Sequence, residues 1–168
     1  GGLADSKTAK FPITDISKTD FYFDKGIECY NNGDLSGAIF NWTLTIEIDP
    51  KDPNAYYSRA IVKNELYTWK SALKDYDEAI KIAPNFVSAL INRGGLKDEN
   101  EDYQGAIVDY ETVLKLDKLE AEEKQQAYFN LGNTYYNLKD KKKACENWKK
   151  ALENGAEYAK ERIKEYCK

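Results

Sequence analysis

The side chains that could do covalent or metal chemistry in this chain are few, because the sequence contains three cysteines and no histidine. Histidine is the commonest general base and metal ligand in proteins, so its absence argues against acid–base catalysis and zinc binding. The cysteines show no CxxC spacing, and the chain has no glycine-rich phosphate loop. We therefore expect no enzyme activity, no metal and no cofactor.

Cys145 and Cys167 are predicted to lie close together. They are equally distant in sequence from Ala156, where the chain is predicted to turn between two antiparallel helices. In an oxidising compartment they could form a disulfide that contributes about 3 kcal/mol. Alternatively, they could be two buried thiols that serve as small apolar residues. The sequence leaves both alternatives open.

The compartment is left open as well. The chain begins Gly1-Gly2 and contains no methionine, so we expect its original N-terminus to be missing. An exported or periplasmic location is about as well supported as a cytoplasmic one.

The elements that position these residues come from a unit that occurs four times. A small residue recurs at Gly26, Ala60, Gly94 and Gly132. An alanine recurs at Ala38, Ala72, Ala106 and Ala144. A large aromatic residue recurs at Trp42, Tyr76, Tyr110 and Trp148. Within each unit these residues fall at helical spacing on two segments separated by a turn, which predicts a hairpin of two helices. One such hairpin cannot bury its apolar face alone, so stacking into a solenoid is predicted.

This pattern resembles the tetratricopeptide repeat (TPR) family over most of the chain. The resemblance implies an all-α, right-handed α-solenoid of four helix-turn-helix repeats, closed by a C-terminal capping helix. We divide the chain into an extended or disordered leader, 1–18, and a single domain, 19–168. The predicted repeats are 19–52, 53–86, 87–120 and 125–158, and the capping helix covers about 157–167.

The resemblance also implies where a partner would bind, since the first helix of each repeat lines a concave groove in this family. Transferred position by position, the peptide-binding residues are Phe23, Tyr30, Tyr57, Ile91, Asn92, Asp98, Phe129, Asn130, Asn133 and Tyr136. Asparagine carboxamides can both donate to and accept from a peptide backbone, and aromatic rings supply apolar contact. The alternative is that some of these side chains only seal the floor of the groove.

Chaperone adaptors of this family clamp a C-terminal carboxylate with lysine and asparagine side chains. The corresponding positions hold Phe23 and Ile27 in the first repeat and Tyr57 and Ile61 in the second. A carboxylate clamp is therefore not expected. Further groove positions hold Asp24, Glu65 and Glu99, so with Asp98 the groove positions contain several acids and no base, which favours a partner segment with lysine or arginine side chains.

Composition agrees with a protein-binding role. The chain has 168 residues, is 42% hydrophobic and carries a net charge of −4, which indicates neither a nucleic-acid surface nor a membrane span. We interpret the protein as a non-catalytic scaffold that binds an extended peptide or a helix of another protein. The alternative is self-association into a homo-oligomer through convex or terminal faces. A third hypothesis is a regulatory subunit of an enzyme.

Overall fold

The computed structural model describes residues 16–168, with side chains from Lys18 onward. Every regular element in this range is a helix, in the order α1 (Ile16–Asn31), α2 (Leu35–Ile48), α3 (Pro53–Glu65), α4 (Trp69–Ile82), α5 (Val87–Glu99), α6 (Tyr103–Leu114), α7 (Ala121–Asn137), α8 (Lys141–Glu153) and α9 (Ala159–Tyr166). The predicted leader, 1–18, lies mostly outside the described residues. Its last three residues belong to α1, which begins at Ile16 and not at Thr19, where the first repeat was predicted to begin.

The chain divides into two compact units, one ending at Asp52 and the other beginning at Pro53. In the first unit α1 and α2 form one hairpin. Gly33 turns the chain with a φ of +77°, a left-handed conformation that glycine adopts without strain. Asp34 then caps α2 by accepting a hydrogen bond from the amide of Gly37 at 2.9 Å. The two helices meet where Trp42 packs on Gly26.

The second unit contains three hairpins, α3–α4, α5–α6 and α7–α8. Each pair of helices approaches closely at its small residue. A Cβ on Gly94 would lie 2.7 Å from the ring of Tyr110, and one on Gly132 would lie 2.5 Å from Trp148. These separations are too short for a side chain, so the α5–α6 and α7–α8 hairpins require glycine here, whereas the α3–α4 hairpin accommodates Ala60. The aromatic residue fills the groove beside it, as the sequence predicts.

Successive hairpins of the second unit share their hydrophobic cores. Ala79 of α4 packs in one cluster with Ala89 and Leu96 of α5. Tyr110 of α6 likewise packs in one cluster with Leu131 of α7. Because each hairpin buries its apolar face against the next, the fold is the predicted all-α solenoid.

The four residues inserted before the last repeat lengthen its first helix. α7 has 17 residues, whereas α3 and α5 have 13 each. A capping box between Glu120 and Glu123 begins α7. Leu119, immediately before it, packs against the core of the preceding hairpin.

The C-terminal helix α9 covers the end of the second unit. Ala156 and Ala159 are buried in one cluster with Trp148 of α8, and Ile163 is partly buried against this cluster. In the structure Cys145 and Cys167 are joined by a disulfide, with their Cα atoms 5.6 Å apart. Cys29 is a free, partly buried thiol.

Candidate functional site

The first helices of the three hairpins in the second unit place Tyr57, Ile91 and Phe129 at equivalent positions. The surroundings of these three side chains differ. Tyr57 is partly buried and its ring centroid lies 4.9 Å from that of Phe86. Its hydroxyl accepts a hydrogen bond from Asn92 Nδ2 at 3.1 Å, which joins α3 to α5. Burial raises the pKa of Tyr57, so the hydroxyl stays neutral at physiological pH.

Ile91 does not belong to an open binding surface, and the sequence-based assignment needs correction here. Its side chain is 8% exposed and packs in the core cluster that also contains Ala127 and Leu131 of α7. An aliphatic side chain at this position is covered by the neighbouring first helix. Ile91 therefore seals the floor between α5 and α7 and offers little surface to a peptide.

Two predicted residues of the last hairpin have structural partners. Asn133 Oδ1 accepts a hydrogen bond from Trp148 Nε1 at 3.0 Å. Tyr136 lies between two rings, with its centroid 5.8 Å from Trp148 and 4.7 Å from Tyr166 of α9. Both side chains are partly buried. They contribute to the core between α7, α8 and α9 as well as to the inner surface, which is the face formed by the first helices α3, α5 and α7.

Phe129 and Asn130 lie one turn earlier on α7. The ring of Phe129 meets Tyr158 edge-on, with the centroids 4.8 Å apart. Asn130 is partly buried, and its carboxamide forms no side-chain hydrogen bond within residues 18–168. Its carboxamide therefore keeps its full hydrogen-bonding capacity.

Asp98 connects α5 to α7 at the far end of this surface. Its Oδ2 accepts a hydrogen bond from Asn137 Nδ2 at 3.2 Å, whereas its Oδ1 is buried without a hydrogen-bond partner. Burial of the Tyr110 hydroxyl, together with the negative charge of Asp98, raises the pKa of Tyr110. The carboxylate thus adds negative charge close to the inner surface.

Phe23 and Tyr30 belong to the first unit and are described with α1 and α2 alone. The backbone oxygen of Phe23 accepts a hydrogen bond from Trp42 Nε1 at 3.2 Å. The ring centroid of Tyr30 lies 6.3 Å from that of Trp42, and Tyr30 is 36% exposed. Both residues flank the aromatic side chain that closes this hairpin.

The second unit also contains two buried ion clusters that sequence analysis missed. In the α5–α6 hairpin, Asp109 is 1% exposed and binds Arg93 at 2.6 Å and Lys97 at 2.9 Å. Arg93 also reaches Asp77 of α4 at 2.7 Å, which ties two successive hairpins together. These lysine and arginine side chains are held by carboxylates and do not simply lie along the apolar surface.

The α3–α4 hairpin repeats this arrangement. Asp75 binds Arg59 at 2.8 Å and Lys63 at 2.7 Å. The signal was present in the sequence, since the arginine, the lysine and the aspartate each recur after 34 residues. An aspartate on the buried side of a helix requires a cationic partner. That requirement could have identified both ion clusters from the sequence.

Other kinds of site are not found in the part of the chain that the structure describes. No group of three or more acidic or cysteine side chains is arranged to hold a metal ion in residues 16–168. Over the same range no helix combines the length and the apolarity that crossing a membrane requires.

Comparison with known proteins agrees with the repeat geometry. The tetratricopeptide repeat family matches residues 125–154, which contain α8 and most of α7. The last hairpin of the chain therefore matches the tetratricopeptide repeat family. An uncharacterized protein of Methanocaldococcus jannaschii is 30% identical over 57 residues, which are 34% of this chain and 66% of that protein.

Several solved structures have the same fold as this repeat protein. PilF of Pseudomonas aeruginosa superposes with a TM-score of 0.74 at 24% identity, covering 83% of this chain and 62% of PilF. MamA of Desulfovibrio magneticus superposes with a TM-score of 0.74 at 20% identity, covering 93% of this chain and 90% of MamA. The first TPR domain of Spaghetti, solved with an HSP90 peptide, gives 0.66 at 25% identity, covering 74% of this chain and 98% of that domain.

The match of the last hairpin and the shared fold indicate the general role of this repeat protein. The fold is that of a protein–protein interaction scaffold, and proteins with it are generally not catalysts. TPR proteins bind other proteins.

Proposed function

We propose that this repeat protein binds an extended peptide, or a helix, of a partner protein along the inner faces of α3, α5 and α7. The hydrogen bond between Tyr57 and Asn92 is the observation that carries the proposal, because it fixes an aromatic ring beside a carboxamide. Asn130 repeats the carboxamide one hairpin later with its hydrogen-bonding groups unengaged. The Spaghetti domain with the same fold is bound to a peptide, which supports this mode of recognition.

The proposed contacts use groups that are already held in place. Tyr57 is fixed by Phe86 on one side and Asn92 on the other. Asn92 and Asn130 would donate to backbone carbonyl oxygens and accept from backbone amides of the peptide. Because little side-chain freedom is lost when fixed groups bind, the entropic cost of binding is reduced.

The charge of the inner surface favours a basic segment. Asp98 and Glu99 lie in the last turn of α5, and Asn137 of α7 approaches Asp98. The nearby cations Arg93 and Lys97 are engaged by Asp109 and so oppose the field of these acids less than free cations would. We expect a partner segment with lysine or arginine, and binding that weakens as salt concentration rises.

The test is selection of short peptides by the full chain, followed by affinity measurements on groove variants. Asn92→Ala/Asn130→Ala should weaken binding of a selected peptide at least tenfold, because each lost hydrogen bond contributes about 1 kcal/mol. Gln104→Ala, which removes an exposed carboxamide from α6, is the matched control and should bind normally. The groove proposal fails if the double variant binds as tightly as the control.

Self-association is the second candidate, and one specific observation favours it. Residues 19–52 carry seven acidic and two basic side chains, whereas residues 139–168 carry ten basic and six acidic ones. Opposite net charges on these two segments would favour contact between the acidic segment of one copy and the basic segment of another. Sedimentation velocity at low and high salt tests this: salt-sensitive oligomers support it, and a monomer at low salt excludes it.

We also propose that the four repeats, 19–52, 53–86, 87–120 and 125–158, form one domain.

A further inference from the structure

We propose that the Cys145–Cys167 disulfide is a redox-controlled lock. In the oxidised protein it holds α9 over the last hairpin, and its reduction releases α9. The bond joins α8 to the residue that follows α9, so both ends of the segment from Ala156 to Cys167 are attached to the hairpin. The state of this bond therefore decides whether the C-terminal end of α9 is tethered.

α9 has few other attachments. It contains eight residues, and Ala159 is its one buried side chain. Ile163 and Tyr166 pack against the terminal core but remain partly exposed. A helix this short is not stable by itself in water. Its order therefore depends on the disulfide more than the order of the longer helices does.

The disulfide is placed where a reductant can reach it. Both cysteines are partly exposed at the floor of an open depression. The depression is also lined by Lys141, Lys142, Glu146 and Lys149. Positive charge attracts an attacking thiolate and stabilises the thiolate that leaves. Exposed disulfides in such surroundings are the labile ones, whereas structural disulfides resist reduction.

The reaction consumes one dithiol reductant or, equivalently, two monothiol molecules. In the dithiol case a thiolate of the reductant attacks one sulfur, the S–S bond breaks, and the departing cysteine takes up a proton. The second thiol of the reductant then displaces the other cysteine from the mixed disulfide. One protein disulfide and one dithiol thus become two protein thiols and one reductant disulfide, with two electrons transferred to the protein.

Release of α9 would uncover an aromatic surface. The ring of Tyr166 lies 4.7 Å from Tyr136 and 6.0 Å from Trp148, so it covers both. Tyr136 is one of the predicted peptide-binding residues. If the groove binds peptide as proposed above, reduction would make the ring of Tyr136 available to the partner; this consequence rests on the proposed function, whereas the lock itself does not.

Hydrogen exchange of the full chain tests the lock directly. A Cys29→Ser background removes the remaining thiol, and the oxidised protein is compared with protein treated with dithiothreitol. Amide exchange in residues 159–167 should accelerate on the order of 100-fold on reduction, because the tether is lost, while α3–α6 keep their protection. Cys145→Ala/Cys167→Ala should show the fast exchange without reductant. Unchanged exchange in α9 would overturn the proposal, as would loss of protection throughout residues 53–168.

The contribution of the lysines is tested by the rate of reduction. Lys142→Gln/Lys149→Gln should slow reduction by glutathione, an anionic thiol, by about tenfold at low salt. Reduction by the neutral thiol 2-mercaptoethanol should change less. Lys160→Gln/Lys164→Gln on α9, outside the lining of the depression, is the matched control. Equal rates for the two double variants with glutathione would exclude the assigned role. Peptide affinity measured in both redox states then tests the groove separately.

Discussion

Neutralising Asp109 should destabilise the protein far more than neutralising another carboxylate that binds the same arginine. The Asp109 side chain is 1% exposed and accepts hydrogen bonds from Arg93 Nε at 2.9 Å, Arg93 Nη2 at 2.6 Å and Lys97 Nζ at 2.9 Å. Asp109→Asn keeps the shape but places an amide donor against these cationic donors. Lys97, which is 19% exposed, then lacks its counter-charge, and Arg93, which is 17% exposed, keeps only the exposed Asp77. Breaking a buried ion pair in this way costs about 3 kcal/mol or more.

The matched control is Asp77→Asn. Asp77 also binds Arg93, at 2.7 Å, but its side chain is 58% exposed. Removing an exposed partner should cost less than about 1 kcal/mol, because solvent already screens the pair. Thermal unfolding followed by circular dichroism measures both variants. The Asp109 variant should lower Tm by roughly 6–12 °C, and the control by about 3 °C at most. Equal losses in the two variants would refute the reasoning.

A triple substitution separates two quantities: the net contribution of the ion cluster to the free energy of unfolding, and the loss of stability when only one of its members is removed. The last repeat has Leu131, Tyr135 and Asn147 where the third repeat has Arg93, Lys97 and Asp109. Arg93→Leu/Lys97→Tyr/Asp109→Asn copies this set and leaves no buried charge without a partner. Its stability should lie within about 1 kcal/mol of wild type, since buried ion pairs gain little over apolar packing. A triple variant as unstable as Asp109→Asn would contradict this account.

Two further predictions concern turns and buried tyrosines. Tyr67, Glu101 and Lys139 occupy turns with φ near +60°, as Gly33 does, so replacing each of them by glycine should raise the free energy of unfolding by about 0.5–1 kcal/mol in urea titrations. Burial raises the pKa of Tyr76 and of Tyr110, so their contribution to stability is complete below about pH 10 and is lost as pH rises further. Stability measured across this range should therefore fall less steeply in Tyr76→Phe and Tyr110→Phe.

Each of these predictions has a control in the chain. Gly33→Ala should lose stability where the glycine substitutions gain it, and a gain in Gly33→Ala would contradict the argument from φ. Tyr103→Phe, which removes the hydroxyl of a partly exposed tyrosine, is the control for the two buried positions. If all three phenylalanine variants behave alike, burial of the two hydroxyls does not cause the alkaline loss.

The fold could be predicted because its determinants recur along the chain. Gly132 and Trp148 have equivalents in every repeat, and a small residue opposite a large ring specifies close helix pairing wherever it occurs. The turn at Gly33 and the longer α7 also follow from local sequence, because glycine permits a positive φ and the inserted residues favour a helix. The start of α1 does not: leader residues 16–18 lack the repeat pattern, yet they extend the first helix.

The candidate site was less predictable, because equivalent positions acquire different neighbours. Tyr57 and Ile91 occupy the same place in successive repeats, but Tyr57 is partly exposed and paired with Asn92, whereas Ile91 is sealed by α7. Tyr136 is covered by Tyr166, a residue outside any repeat. Which inner side chain stays accessible depends on the residue that the next helix presents, and repeat position alone does not contain that information.

The sequence alone determined the repeating unit, its two helices, its turn and its need for neighbours, because these follow from residue size and helical period. The tertiary structure decided how charges and cysteines are paired. Asp109 is separated from Arg93 by 16 residues and is buried against it only once α5 and α6 pack together. The predicted turn at Ala156 already indicated that Cys145 and Cys167 lie close together, whereas the bond between them was left open by the sequence and is found with α9 docked on α8. Whether two side chains form a bond depends on the distance and direction that packing gives them, and a linear spacing leaves both undetermined.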